Sequence, residues 1–316
     1  MTPGPGYQAL RESAAWFDLS SRGVIRAAGE DRARLLHALS TNHIQQLQPG
    51  QGCYAFFLTA QGKIIADAYF LCFADHFLLD VEPEAREQVF AHIDHYIIAD
   101  DVTVEDVSGS TAVVAVEGPR ASARLRELGA TPPESWFGHS DWNGATVARI
   151  SATGLDGYRL FLPAERRTEL IQTLSGMTQA SDEDIRIVRI ENAVPRLGDD
   201  VYETTLPMET QQTHSLHFKK GCYLGQEIVE RVRSRGHVNR LLTGLRLEGT
   251  TPPEPRAAVT VNGVECGRIT SAVYSPAEGR IAAMAYMRVP NERPGTAITV
   301  GELSGVTTPV ASRSDS

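Results

Sequence analysis

The stretch VIRAAGEDRARLLHALSTNHIQQLQPGQGCYAFFLTAQGKIIADAYFLCF, residues 24–73, decides the fold. It opens with a short apolar run at 24–28 that suits a strand. From about Asp31 to Leu39 the apolar residues recur at helical spacing, and two longer strand-like runs follow at 54–59 and 63–73. Beyond it, residues 76–81 read as a strand. A helix then begins near Pro83, with Val89, Phe90, Ile93 and Ile97 on one face, and a strand follows at 102–107. The same order returns in weaker form. Residues 112–116 read as strand, 119–128 as a helix entered through a first-turn proline, 145–150 and 158–162 as strands, and 163 to about 174 as helix. This internal repeat predicts an α+β fold built from two ferredoxin-like sandwich halves packed together.

Outward from the repeat, SDEDIRIVRIENAV begins at Ser181 with a good N-cap and an acidic first turn, and the helix stops before Pro195. A loop-rich segment leads to 218–240. Short β-like runs at 241–247, 258–261, 267–273, 281–287 and 297–300 then alternate with Gly and Pro turns, predicting a C-terminal β-barrel. TTPPEPR at 250–256 lies inside this region and reads as a connecting loop, and the closing ASRSDS as a frayed tail. The expected division is residues 1–240 in two interleaved halves, approximately 1–110 and 111–240, and a barrel over 241–316.

The 316-residue chain exceeds the roughly 250 to 300 residues at which one hydrophobic core stops growing, in keeping with several domains. Hydrophobic residues at 42% and charged residues at 22% exclude a disordered, collagenous or coiled-coil chain. Apolar runs such as 68–74 and 281–287 are far shorter than the roughly 18 residues of a membrane span. The opening MTPGPGYQAL has neither a basic nor an apolar leader region, so the expected compartment is the cytoplasm. A formal charge of −9 disfavours a protein that coats nucleic acid. The four cysteines, Cys53, Cys72, Cys222 and Cys266, form no CxxC pair, and the histidines show no ligand spacing with an acidic partner, so no metal site is expected. P-loop, Rossmann and serine-elbow signatures are absent.

Two places carry chemistry. In KIIADAYFL, strand alternation puts Lys63, Ile65, Asp67, Tyr69 and Leu71 on one face, so the carboxylate of Asp67 interrupts an apolar strand. It must meet a donor, a cation or a ligand, and a neighbouring turn or arginine would satisfy it as well as a ligand would. The segment FKKGCYLGQEIVERVRSRGHVNR, residues 218–240, is a basic island. Lys219, Lys220, Arg231, Arg233, Arg235 and Arg240 surround Cys222, which Gly221 and Gly225 bracket. Cations and a nearby helix start would lower a thiol pKa, whereas a solvated basic face with a structural cysteine is the plainer alternative. Cys53, Cys72 and Cys266 sit in apolar strand-like settings and read as structural.

KKGCYLGQE at 219–227 with RSRGHVNR resembles the signature of the YgfZ-type folate-binding proteins, relatives of the T-protein (aminomethyltransferase) of glycine cleavage. Further similarities run along FDLSSRGVI, LSTNHIQQLQPGQGCYAFFLTAQGKIIAD, IRIVRIENAVPRLGDD, GRITSAVYSP and IAAMAYM. The resemblance implies two sandwich domains of T-protein type and a barrel arranged as a three-domain ring. It also implies tetrahydrofolate or a derivative, possibly polyglutamylated, in the central opening.

It further implies Tyr54, Asp67, Tyr69, Arg159 and Arg189 about the ligand, with Lys219, Lys220, Arg233 and Arg235 for its glutamate tail. Asp67 and Cys222 are the implied catalytic groups. Arg159 stands where T-proteins carry a glutamate, and an arginine there alters recognition of the pterin's donor edge. Three functions follow from the resemblance. One is a folate-dependent factor that supports assembly or repair of iron–sulfur enzymes, tRNA-modifying ones included, through transient contact with them or with cluster-assembly proteins. The others are an aminomethyltransferase acting on a lipoyl carrier, and an adaptor with a vestigial folate site.

Overall fold

A computed structural model describes residues 4–236 and 238–311, with the side chain of Arg235 also outside the described set. Its first elements are α1 (Pro5–Glu12), β1 (Ala15–Asp18), β2 (Gly23–Ala28), α2 (Arg32–Leu39), β3 (Gly52–Leu58), β4 (Ile64–Cys72), β5 (His76–Val81), α3 (Arg86–His95) and β6 (Thr103–Asp106). The second copy follows as β7 (Thr111–Glu117), α4 (Ala121–Glu127), β8 (His139–Trp142), β9 (Ala145–Ala148), β10 (Gly157–Pro163), α5 (Arg167–Thr173) and β11 (Thr178–Gln179). α6 (Asp182–Glu191), a long irregular segment and α7 (Gln226–Arg235) lead to β12 (Arg240–Leu247), β13 (Ala258–Val261), β14 (Val264–Ser275), β15 (Arg280–Arg288), β16 (Ala297–Val300) and β17 (Leu303–Thr308).

The strands form three sheets, so the α+β class and the terminal barrel are as the sequence leads one to expect. The first sheet has the order β3-β4-β5-β2-β6 and the second β11-β1-β7-β10-β9-β8, while β12-β15-β14-β13-β16-β17 closes into a barrel. β1 runs antiparallel to β7, so residues 15–18 form a strand of the second sheet. The barrel is closed by β17 pairing with β12, a strand the Gly- and Thr-rich run LSGVTT gives no apolar pattern to reveal. β1 and β8 are likewise too short, at four residues each, to show a period.

Alternation along β4 sets the site. Ile64, Ala66, Ala68 and Phe70 are fully or almost fully buried in a core shared with Leu36, Phe56, Phe57 and Ile93, whereas Ile65, Asp67 and Tyr69 are half-buried on the other face. Each buried Leu, Ile or Phe there contributes about 1.5–3 kcal/mol, so a slip of one residue that exchanged the faces is strongly disfavoured.

α6 wedges between the second sheet and the barrel. A capping box starts it: the Ser181 side chain accepts from the Asp184 N–H at 3.2 Å, and Asp184 accepts from the Ser181 N–H at 3.0 Å. Val188 packs with Phe17 and Ala115, and Ile190 with Leu242, Val273 and Met284 of the barrel. Beyond α6, the fully buried Asp200 accepts hydrogen bonds from the hydroxyls of Thr270 and Ser271 on β14, each at 2.6 Å, and from Arg189 at 2.6 Å. Barrel, α6 and the loop after it are therefore held as one wall. No helix among the described residues is long and apolar enough to cross a membrane.

Candidate functional site

Between the first sheet, the second sheet and α6 lies a cavity of about 350 Å³. β4 contributes Asp67 and Tyr69, β10 contributes Arg159, and α6 contributes Asp182, Ile185, Arg186 and Arg189. Arg22, Glu82, Arg196 and Asp199 come from connections between elements.

Register explains the position of Asp67. Tyr54 on β3 lies opposite Tyr69, and Phe56 lies opposite Asp67, so Tyr54 and Asp67 are diagonal neighbours within reach of a long aromatic side chain. The Tyr54 hydroxyl donates to Oδ2 of Asp67 at 2.8 Å. Oδ1 is buried and has no hydrogen-bond partner among the described residues. Burial, followed by the negative charge of Glu82, pushes the Asp67 carboxyl up to about 6. Burial would raise Glu82 too, yet Arg22 and Arg196 hold it down at about 2. Two carboxyls facing one cavity are thus driven apart, one fixed as an anion and one able to exchange a proton near neutral pH.

The surrounding wall is an ion-pair chain. Fully buried Asp80 on β5 accepts from Arg22 and from Arg159, which are only 5% and 2% exposed. Arg22 also donates to Glu82, which pairs with Arg196 at 3.0 Å. Arg196 reaches Glu84 at 2.7 Å and Asp199 at 3.6 Å, and Arg189 joins Asp199 at 2.9 Å to Asp200. Arg159 lies with its guanidinium carbon 4.7 Å from the Tyr69 ring centroid, and its buried Nε has no partner among the described residues. Among the described residues, the cavity walls therefore carry one buried acceptor without a partner, Asp67 Oδ1, and one such donor, Arg159 Nε.

Of the residues singled out in the sequence, Asp67, Tyr69, Arg159 and Arg189 line the cavity, and Tyr54 holds Asp67 from behind. The basic segment is placed elsewhere. Lys219 is exposed, and Arg233 stacks over Phe218 with 4.3 Å to the ring centroid while pairing with Glu230 at 3.6 Å. The side chain of Arg235, like the whole of His237, lies outside the described residues. Cys222 is exposed ahead of Gln226, where α7 begins, and is not among the cavity-lining residues. Cys53, Cys72 and Cys266 are buried.

Lys220, expected at a ligand tail, is instead buried at the end of α2, where its Nζ donates to the carbonyls of His37 and Ser40. These are C-terminal carbonyls of a helix, which a lysine satisfies well. Burial pushes the Lys220 pKa down to about 7, and the neutral amine keeps two N–H groups for its two carbonyls. Lys220→Met should lower stability by about 1–2 kcal/mol, read from urea unfolding. A group whose folded pKa is depressed below that of the unfolded chain binds fewer protons when folded. Wild type should therefore gain on the Met variant as pH rises from 7 towards 10, by on the order of 1 kcal/mol per pH unit.

Sequence reading missed Arg22, Asp80, Glu82, Arg196 and Asp199. Asp80 alone left a trace, because it interrupts the apolar strand HFLLDV as Asp67 interrupts KIIADAYFL. Among the described residues no group of three or more His, Cys, Asp or Glu side chains could hold a metal ion.

This architecture has known counterparts. Residues 5–220 match the GCVT N-terminal domain, and residues 240–312 match the glycine cleavage T-protein C-terminal barrel domain. An aminomethyltransferase of Rubrobacter xylanophilus is 30% identical over 298 residues, covering 92% of this chain and 79% of that protein. An aminomethyltransferase of Rippkaea orientalis is 27% identical over 313 residues, covering 93% and 84%. The crystal structure of the glycine cleavage system aminomethyltransferase T from Bartonella henselae superposes with a TM-score of 0.88 at 21% identity, over 96% of this chain and 87% of that one. With both domain models matched in order along a chain whose sheets and barrel carry the same fold, the protein belongs to the glycine cleavage T-protein family.

Proposed function

We propose that the cavity binds a reduced folate and that the protein acts on the one-carbon unit the folate carries. The observation that carries this reading is Asp67 Oδ1, a buried acceptor without a partner on a carboxyl that titrates at about 6. A ligand with N–H groups satisfies it, and the donor at Arg159 Nε suits a carbonyl or ring nitrogen on the same ligand. Tetrahydrofolate offers both kinds of group, so the residues fit it. When bound, it would supply the nitrogens that take up the one-carbon unit. Asp67 is the protein group that can hold or release a proton beside them at Oδ1, while Tyr54 keeps Oδ2 engaged and so orients the carboxyl.

The names of the relatives favour aminomethyl transfer as the reaction, and the resemblance supplies a lipoyl carrier as its donor. Two observations favour the other outcome, a YgfZ-type factor supporting iron–sulfur enzymes. Arg159 stands in the wall bound to Asp80, so no carboxylate is presented at the position where the resemblance places a glutamate in T-proteins. Cys222 in KKGCYLGQE is also exposed to solvent, as a thiol in transient contact with a partner would need to be. Titration with tetrahydrofolate, followed by protein fluorescence, tests the shared reading, which expects saturable 1:1 binding and fails if none is seen. A glycine cleavage assay with lipoyl carrier and tetrahydrofolate then separates the two reactions. Turnover assigns aminomethyl transfer. Binding without turnover, together with loss of iron–sulfur enzyme activity in cells carrying Cys222→Ala, assigns the maintenance role.

A further inference from the structure

We infer that Arg186 is the receptor for the anionic end of the bound folate, in place of the basic segment 219–235. The inference rests on the folate reading above and adds a specificity residue to it. Five arginines line the cavity, and four of them are committed. Arg22 and Arg159 are bound to Asp80, Arg189 has carboxylates at 2.6 and 2.9 Å, and Arg196 has them at 2.7 and 3.0 Å. Arg186 is the exception among the described residues. Its nearest carboxylate, Glu183 one turn earlier, is 3.9 Å away, and its Nη2 donates to the Ala272 carbonyl of the barrel at 3.2 Å. A guanidinium has five N–H donors, so most of this one remains available to a ligand carboxylate, which it can grip in bidentate fashion.

Position on α6 supports the role. Asp182, Ile185, Arg186 and Arg189 form the helix face turned to the cavity. Along that face exposure rises outward, from 6% for the Arg189 side chain to 43% for Arg186, one turn nearer the helix start. The N-terminal end of α6 is therefore the more open end of this face. A ligand that puts its reactive end on Asp67 leads its other end out along this face and past Arg186. The helix start itself is already occupied by Asp182, Glu183 and Asp184, so Arg186 is the cation an outgoing carboxylate meets.

Equilibrium titrations of the full chain with tetrahydrofolate and with tetrahydropteroate, which lacks the glutamate, test the assignment. Wild type should bind tetrahydrofolate about 10-fold more tightly, the worth of one charge-assisted contact. In Arg186→Gln the two affinities should become equal through loss on tetrahydrofolate alone, and Arg186→Lys should retain part of the preference. Added salt should erode the preference in wild type and leave the Gln variant unchanged. If Arg186→Gln keeps the full preference, or loses affinity equally for both compounds, the assignment is wrong. If wild type binds neither compound, the folate reading falls and takes this assignment with it, a result distinct from either of those.

Discussion

Asp80→Ala should destabilise the protein by on the order of 3–5 kcal/mol, the cost of leaving a buried charge without its partner. Asp80 lies on the first sheet with no exposed surface, and it is the only carboxylate bound to Arg159 from the second sheet among the described residues. Arg22 would keep Glu82, but Arg159, 2% exposed, would be left with its aromatic contact to Tyr69. A lower urea midpoint at unchanged slope is the expected signature. The double variant Asp80→Ala/Arg159→Met should recover much of the loss, since removing both charges also removes the uncompensated one. Strict additivity of the two single effects would show that the pair is not coupled.

Asp67→Asn should act in opposite directions on binding and on stability. Affinity for tetrahydrofolate should fall by about 100-fold, because the acceptor at Oδ1 is lost and charge-assisted hydrogen bonds are the strong ones. Stability at pH 7.5 should rise. The folded carboxyl titrates at about 6, above its ordinary value of 3.8, so deprotonation disfavours the folded state. This penalty is absent below pH 4, grows between pH 4 and 6, and is complete above 6. At about 1.4 kcal/mol per unit it approaches 3 kcal/mol, reduced to about 1–2 by the new amide N–H that must find a partner. Thermal unfolding should therefore show the variant as the less stable protein at pH 4 and the more stable one above pH 6, the order reversing between them. A variant that is less stable at pH 7.5, or a gap that does not vary with pH, would remove Asp67 as the raised carboxyl.

Much of the site's own strand was legible in the sequence. Period-two alternation in KIIADAYFL put Asp67 and Tyr69 on one face of β4, and that face lines the cavity. Ser181 and the acidic turn after it marked the start of α6, which the capping box bears out. The basic segment misled, because six cations in one stretch say nothing about where each side chain ends. Lys220 is turned inward to α2, Arg233 is stacked on Phe218, and the cavity takes its arginines from the connection before β2, from β10, from α6 and from the loop after it.

The boundary between the two kinds of information is physical. Alternation, helical spacing, caps and turns act over a few residues, so the sequence by itself determined the α+β repeat, the turn-punctuated barrel strands and the intrusion of a carboxylate into β4. Ion pairing depends on distance and burial, neither of which is a local property of the chain. Which two of the five cavity arginines meet Asp80, why Arg186 among the described ones has no carboxylate closer than 3.9 Å, and why Asp67 titrates near 6 beside a Glu82 at about 2 were decided only when the tertiary structure closed. Arg159 and Asp80 are 79 residues apart in the chain, and Lys220 and His37 are 183 apart, so nothing short of the folded packing could bring either pair together.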